Sequence, residues 1–251
     1  KNFPVLDFNV NATGTLNLLE LTKSYCPNAP FIFMSTNKVY GDNPNKLKII
    51  EKKNRWELRE NNKYFKGIDE KFSIDNCIHS FFGVSKAYAD LIVQEYGKNV
   101  GLKTVCFRGG CLTGPSHSGA KLHGFLSYLV KISLTKKRYS LIGYKGKQVR
   151  DNLHSYDLVN SFWEFFKKPT KGEVYNMGGG RYSNCSIIEA LDLVENISNI
   201  EIKREMIKKP RVGDHIWYIS NLSKFKKHYP NWKQKYNTKR IIEELINNFY
   251  C

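Results

Sequence analysis

The sequence predicts an α/β fold built around a doubly wound parallel sheet. Two short apolar runs, 31–34 and 104–107, are typical of strands that are buried on both faces. Helical patterns over 12–26 and 81–99 precede these runs, so helix and strand alternate as a parallel sheet requires. With 251 residues and a mass of 29.1 kDa, the chain is long enough to bury a full core.

The first predicted helix, 12–26, places Leu16 and Leu19 on one apolar face, and Pro27 ends it. Residues 42–78 are charged and rich in Asn and Lys, which predicts a long surface excursion. A loop of that length in a compact domain is more often functional than idle.

The second predicted helix, 81–99, repeats apolar residues at helical spacing and ends before Gly101. Ser186 and Glu189 form a capping box at the start of a later helix. Asp157 is expected to be a helix N-cap and His154 a structural histidine. The remaining predicted elements are helices at 121–135, 157–167, 186–197 and 237–249 and strands near 139–142, 173–176 and 202–206.

Composition limits the compartment and the partners. The six cysteines show no C-x-x-C pair and no metal-ligand spacing, which predicts reduced thiols in the cytoplasm and no metal site. No apolar run is long enough to cross a bilayer, so no membrane association is expected. The net charge is +17, but the lysines are scattered and no recognition motif is visible, so nucleic acid is an unlikely partner. A basic cleft would instead favour a diphosphate-bearing substrate.

The segment 35–41, STNKVYG, follows the first predicted strand. A hydroxyl at the carboxyl end of a parallel strand faces the crevice in which such sheets bind ligands, which makes Thr36 a candidate site residue. The alternative is an ordinary turn capped by Ser35 and Thr36.

The segment 82–86, FGVSK, opens the second predicted helix. Residues four apart lie on one face of a helix, so Phe82 and Lys86 point the same way. This spacing alone carries no information, because many amphipathic helices contain it.

Three further blocks follow. They are a glycine-rich strand end with Arg108, Gly109, Gly110 and Cys111, the segment 150–157 (RDNLHSYD), and the turn 210–214 (PRVGD). Glycines let a backbone approach a flat ligand, and arginines offer forked donors to phosphate oxygens. For the first block the alternative is a glycine-rich turn with Cys111 as a small buried residue.

Five blocks in this order resemble the extended short-chain dehydrogenase/reductase family, the NAD-dependent epimerases and dehydratases, over nearly the whole chain. The resemblance implies a truncated Rossmann-like doubly wound sheet with a smaller α+β substrate-binding lobe. Residues of about 1–115 and 145–180 would form the Rossmann part, and about 116–144 and 181–251 the lobe.

The resemblance also implies a function: an NAD-dependent nucleotide-sugar epimerase that transiently oxidises a sugar carbon. It implies a homodimer through the helices that begin near residues 12 and 81. The implied contacts are Lys86, Ser35, Gly109 and Gly110 with NAD, Thr36 and Cys111 with the sugar, and Arg150 and Arg211 with the diphosphate of a nucleotide-diphosphate sugar, with Thr36 and Lys86 as the catalytic pair.

The chain departs from the family pattern at Phe82, where the family has the tyrosine that removes the hydroxyl proton. Phenylalanine cannot accept a proton. Either another base acts or the protein is a catalytically silent nucleotide-sugar binder. The possible substitutes remain open: Thr36 through a relayed water, Tyr40, Tyr88, His117 or His123.

A second departure is the lack of a G-x-G-x-x-G turn after a strand. We expect that on the order of eighty to a hundred residues of the dinucleotide-binding segment precede this sequence in the parent protein, and that the chain as given binds NAD poorly.

The residues after Thr36 help to separate the activities within the family. Dehydratases carry an acidic pair there, because expelling water needs a general acid and a base. This chain has Asn37 and Lys38, which favours an epimerase over a dehydratase. A nucleotide-sugar dehydratase or reductase of the same family is the other alternative that the resemblance leaves open.

Overall fold

The computed structural model describes residues 3–117, 119–120, 124–210 and 213–249. The strands are β1 (Phe31–Thr36), β2 (Ile49–Glu51), β3 (Trp56–Leu58), β4 (Thr104–Gly109), β5 (Cys111–Thr113), β6 (Tyr139–Ile142), β7 (Val149–His154), β8 (Glu173–Met177), β9 (Asn184–Ser186), β10 (Arg204–Ile207) and β11 (Trp217–Tyr218). The α-helices are α1 (Pro4–Phe8), α2 (Gly14–Tyr25), α3 (Phe81–Lys98), α4 (Phe125–Leu134), α5 (Ser155–Lys167), α6 (Ile187–Ser198), α7 (Ser223–His228) and α8 (Thr238–Phe249).

The central sheet is parallel and runs in the order β1-β4-β8, which confirms the predicted fold class. Thr36 lies opposite Gly109, and Gly109 lies opposite Met177, so the three strands end at one edge. Helix α3 packs its buried residues Ala89 and Val93 against β1 and β4. Within the described ranges, no helix is long and apolar enough to span a membrane.

A second group of elements forms the other side of the molecule. Strands β6 and β10 pair in parallel, and α4, α6 and α8 enclose an apolar core that includes Leu129, Leu191 and Ile242. Strand β7 pairs with β5, β11 and β9 rather than with the central sheet, and it leads from this group into α5. The cleft described below lies between the two groups.

Of two predicted helix starts, the structure changes one and confirms the other. Helix α5 begins at Ser155, and its N-cap is His154, whose Nδ1 accepts a hydrogen bond from the Tyr156 amide at 3.0 Å. The prediction that Asp157 caps the helix was wrong. Its carboxylate accepts the amides of Lys235 and Tyr236 instead, each at 3.0 Å, and so holds the segment that leads to α8. The capping box of Ser186 and Glu189 is confirmed.

The long excursion 42–78 is packed rather than loose. It contains the short hairpin β2–β3, and its Glu57 is buried, accepting a hydrogen bond from Trp217 Nε1 at 2.8 Å and pairing with Arg181. Ile68 pairs with Ser220 as an isolated bridge. The segment is therefore packed against the rest of the fold, and its last residue, Ile78, lines the cleft described below.

Candidate functional site

A cleft of about 940 Å³ opens at the carboxyl ends of β1 and β5, between the central sheet and the α4 group. It brings together residues that are far apart in the chain, among them three of the predicted substrate contacts. Its lining includes Thr36, Asn37, Lys38, Phe82, Gly110, Cys111, His117, Arg150, Asn152 and Asp214. Arg211, the other predicted diphosphate contact, and His123 lie outside the described residues.

Thr36 ends β1 and caps a short 3-10 turn, Asn37–Tyr40, because its Oγ1 accepts the Lys38 amide at 3.2 Å. The turn closes at Gly41, which has a φ of +53°. A Cβ there would lie 2.6 Å from Cys77 Sγ, so only glycine fits. Thr36 thus serves as a cap, as the simpler interpretation of the motif predicts, and also faces the cleft.

A buried polar network supports this turn from below. Arg108 makes a two-pronged ion pair with Asp90 of α3, at 3.0 and 2.8 Å, and donates to Tyr40 Oη at 3.1 Å. Tyr40 Oη in turn donates to Asn176 Oδ1 at 2.8 Å, and Ser35 Oγ donates to Asp90 at 2.5 Å. The network joins all three strands of the central sheet to α3.

This network also bears on two sequence-predicted residues. The Ser35 hydroxyl is used inside the protein, so its predicted contact with NAD stays a prediction without support from its position. Tyr40 is fully buried, and burial raises the pKa of its phenol to about 12. Tyr40 therefore does not reach the cleft as a base. Tyr88 packs against Phe8, with ring centroids 5.6 Å apart, and does not line the cleft.

Phe82 and Lys86 lie one turn apart on α3. The Phe82 ring is 40% exposed and forms part of the cleft wall. Lys86 lies deeper, with Nζ donating to the Met34 carbonyl of β1 at 3.1 Å and sitting 4.7 Å from the centroid of the Phe33 ring. Burial lowers the pKa of Lys86. Lys86 therefore contacts β1 near its carboxyl end, at Met34, two residues before Thr36, but it is not among the residues that line the cleft.

Arg150 projects from β7 into the cleft and is 9% exposed. Its guanidinium forms an ion pair with Asp214 and donates to the Val149 carbonyl at 2.7 Å. Beside this pair, Lys38 Nζ donates to the Gly213 carbonyl at 2.8 Å. One wall of the cleft therefore carries two cations and one carboxylate.

Asp214 and Lys38 were not predicted as site residues. Asp214 is the acidic end of the 210–214 turn that the sequence singled out, but nothing in the sequence pairs it with Arg150. Lys38 was visible in the sequence as the residue two positions after Thr36.

Close contacts within the protein explain the glycines at the end of β4. A Cβ on Gly110 would lie 2.7 Å from Asp151 Oδ1, and Asp151 is a buried carboxylate that accepts the amides of Gly180 and Ser220. Gly109 is buried at the strand end, where a Cβ would meet Leu112 at 3.3 Å. Their predicted contacts with NAD stay predictions, although Gly110 does line the cleft.

The sequence model of the NAD dependent epimerase/dehydratase family matches residues 2–178. CDP-paratose 2-epimerase of Salmonella typhi is 29% identical over 97% of this chain and 72% of its own length. The structure of dTDP-glucose 4,6-dehydratase from Bacillus anthracis in complex with NAD superposes with a TM-score of 0.77 at 25% identity, covering 100% of this chain and 70% of that one. UDP-glucose 4-epimerase of Thermotoga maritima, solved with UDP-glucose, gives a TM-score of 0.80 at 23% identity over 98% and 71% of the two chains, and at that identity the likeness concerns the fold.

Proposed function

Because the chain belongs to the NAD dependent epimerase/dehydratase family, we propose that it acts as a nucleotide-sugar epimerase of the CDP-paratose 2-epimerase type. The observation that carries the proposal is the meeting of Thr36 and Arg150 in one cleft. The Thr36 hydroxyl would hold the sugar, and the Arg150 guanidinium would bind the diphosphate through charge-assisted hydrogen bonds.

The residues present fit a nicotinamide cofactor next to this cleft. The Lys86 ammonium has three donors, and within the described ranges one hydrogen bond from it is found, to the Met34 carbonyl. Its remaining donors could hold a ribose hydroxyl, as the family resemblance implies. When bound, NAD would supply the oxidised ring that takes a hydrogen with its electron pair from a sugar carbon.

The residues after Thr36 support an epimerase over a dehydratase. Asn37 and Lys38 both line the cleft, at the place where the dehydratase pattern has two acids. An amide cannot exchange protons near neutral pH, and one amine cannot be the acid and the base together. Elimination of water would lack one of its two groups.

A second candidate is a nucleotide-sugar binding protein without catalytic turnover. Phe82 favours it, because an aromatic ring occupies the part of the wall where the family places its phenol. The two candidates differ in turnover, while both require Arg150 and Thr36 for binding.

We further propose a cytoplasmic homodimer that binds its substrate between a sheet part, about 1–115 and 145–180, and a lobe, about 116–144 and 181–251. Support for the dimer comes from an exposed apolar surface on α2 and α3. Leu18 and Leu21 on α2, and Val84 and Leu91 on α3, are each about half exposed. A surface of this kind is typical of a protein interface.

The test is to incubate the protein with NAD and a panel of nucleotide-diphosphate sugars, following epimers by NMR and bound NADH by its absorbance. We expect a new epimer with at least one sugar. Thr36→Val should lower turnover by about tenfold or more, because a positioned hydroxyl is lost. Thr135→Val, at the exposed C-terminal end of α4, is the matched control and should not change turnover.

If sugars of the panel bind but none is converted to an epimer, the result would favour the nucleotide-sugar binding protein without turnover. Neither binding nor conversion would contradict both candidates.

A further inference from the structure

The proposed chemistry needs a proton acceptor at the cleft, and Phe82 cannot serve. Of the substitutes that the sequence left open, Tyr40 is held in the buried network and Tyr88 packs outside the cleft. His117 does line the cleft, but its ring lies against residue 124 at the start of α4, whereas Thr36 ends β1. Lys38, which the sequence did not suggest for this role, lies on the Thr36 side.

Two backbone contacts place Lys38 beside both Thr36 and the start of α3. Its amide donates to Thr36 Oγ1 at 3.2 Å. Its carbonyl oxygen would lie 3.0 Å from a Cβ on Gly83, the residue that follows Phe82. The side chain then extends along the cleft wall, where Nζ donates to the Gly213 carbonyl at 2.8 Å. The backbone of Lys38 thus lies next to both Thr36 and the start of α3, and its side chain lines the same cleft as Phe82.

The surroundings of Lys38 favour its neutral amine. Burial and, to a smaller extent, the positive charge of Arg150 lower the pKa of this lysine to about 8, although Asp214 and the Cys111 thiol act in the opposite direction. His215 also faces Lys38, but burial and the two cations hold its pKa well below the ordinary histidine value, so it stays neutral. Near pH 8, about half of the Lys38 amines would be able to accept a proton.

We propose that Lys38 Nζ replaces the missing phenol as the proton acceptor for the sugar hydroxyl that Thr36 holds. The inference rests on the proposed epimerase function. The hydroxyl O–H bond breaks and an N–H bond forms at Nζ, while the hydrogen on the same carbon leaves with its two bonding electrons to oxidised nicotinamide. The reverse transfers return the proton from Nζ and complete the epimer.

The first test requires neither cofactor nor turnover. The protein is labelled with acetic anhydride across pH 6 to 11, and the extent of labelling at Lys38 is read by peptide mass spectrometry, with the urea-unfolded chain as reference. We expect labelling of Lys38 in the folded protein to have its midpoint near pH 8, and added UDP-glucose or CDP-glucose to slow it. A midpoint at the ordinary lysine value of 10.5 would overturn the proposal.

The second test measures turnover in variants. Lys38→Met and Lys38→Arg should each lower turnover by about a hundredfold or more, since general base catalysis is removed. In Lys38→Met, adding Phe82→Tyr should restore much of the rate. Turnover of the wild-type protein should rise with pH through about 8 and then level off, because the neutral amine is the active form. Lys239→Met, at an exposed lysine on α8, is the control with unchanged turnover.

The outcomes separate the inference from the function on which it rests. Undiminished turnover in Lys38→Met would overturn the role of the lysine and leave the epimerase function standing. Absence of turnover in the wild-type protein and in Phe82→Tyr would contradict the epimerase function, and the proposed role of Lys38 would fall with it.

Discussion

At the scale of single residues, the neighbouring side chains of Ser35 and Thr36 at the end of β1 have different roles. Side chains alternate between the two faces of a strand, so Ser35 and Thr36 point in opposite directions. Ser35 turns to Asp90 beneath the sheet, and Thr36 turns to the cleft. The period of a strand, applied strictly to the sequence, is enough to assign these two hydroxyls to different faces.

Asp90 is the residue near the site whose substitution should lower the stability of the folded protein most. We expect Asp90→Asn to lower the free energy of unfolding by about 3 kcal/mol or more, because breaking a buried ion pair leaves Arg108 as an uncompensated buried charge. The measurement is urea unfolding followed by circular dichroism. Glu243→Gln, which breaks the exposed pair with Lys239 on α8, is the control and should have a much smaller effect.

Equal stability of the Asp90→Asn and Glu243→Gln variants would mean that the buried network does not stabilise the end of β1 in the way described above.

At the scale of elements, the long helices and the strands of the central sheet could be predicted, because their apolar residues repeat at the helix or strand period. Strand β7 could not. Its sequence, VRDNLH, is polar although every residue in it is buried. Its Asp151 and Asn152 are buried, and they form hydrogen bonds with the 178–185 segment and with β7 itself. A strand that is buried through polar side chains cannot be recognised from the spacing of apolar residues.

The candidate site, too, could be predicted only in part. Thr36 could be assigned to the cleft because it ends a parallel strand. Cys111 and Arg150 could be assigned to it only through the family resemblance, since Cys111 begins β5 and Arg150 lies near the start of β7. The partner of Arg150 could not be assigned, since Asp214 reaches it only through the folding of the 213–217 segment against β7. Nor could the environment of Lys38, which depends on burial and on charges from three separate segments.

At the scale of the whole molecule, the apolar surface on α2 and α3 has a direct consequence for assembly. We expect the protein to sediment at twice its chain mass of 29.1 kDa. Leu91→Glu should raise the dimer dissociation constant by about a hundredfold or more, because a charge would be buried without a partner. The measurement is analytical ultracentrifugation. The control is Lys171→Glu, at a lysine of the α5–β8 loop, which should leave the dimer intact.

A wild-type protein that sediments as a monomer at all concentrations would contradict the proposed homodimer, without bearing on the cleft.

The central claim is that the cleft binds a nucleotide-diphosphate sugar through Arg150. The most direct measurement is calorimetric titration of UDP-glucose and CDP-glucose into the wild-type protein, Arg150→Met and Asp214→Asn. We predict that Arg150→Met weakens binding by about tenfold to a hundredfold, since hydrogen bonds to a charged group contribute about 1.5–3 kcal/mol. Asp214→Asn should bind at least as tightly as the wild type, because it releases Arg150 from its ion pair. Equal affinity of the wild type and Arg150→Met for both sugars would contradict the account.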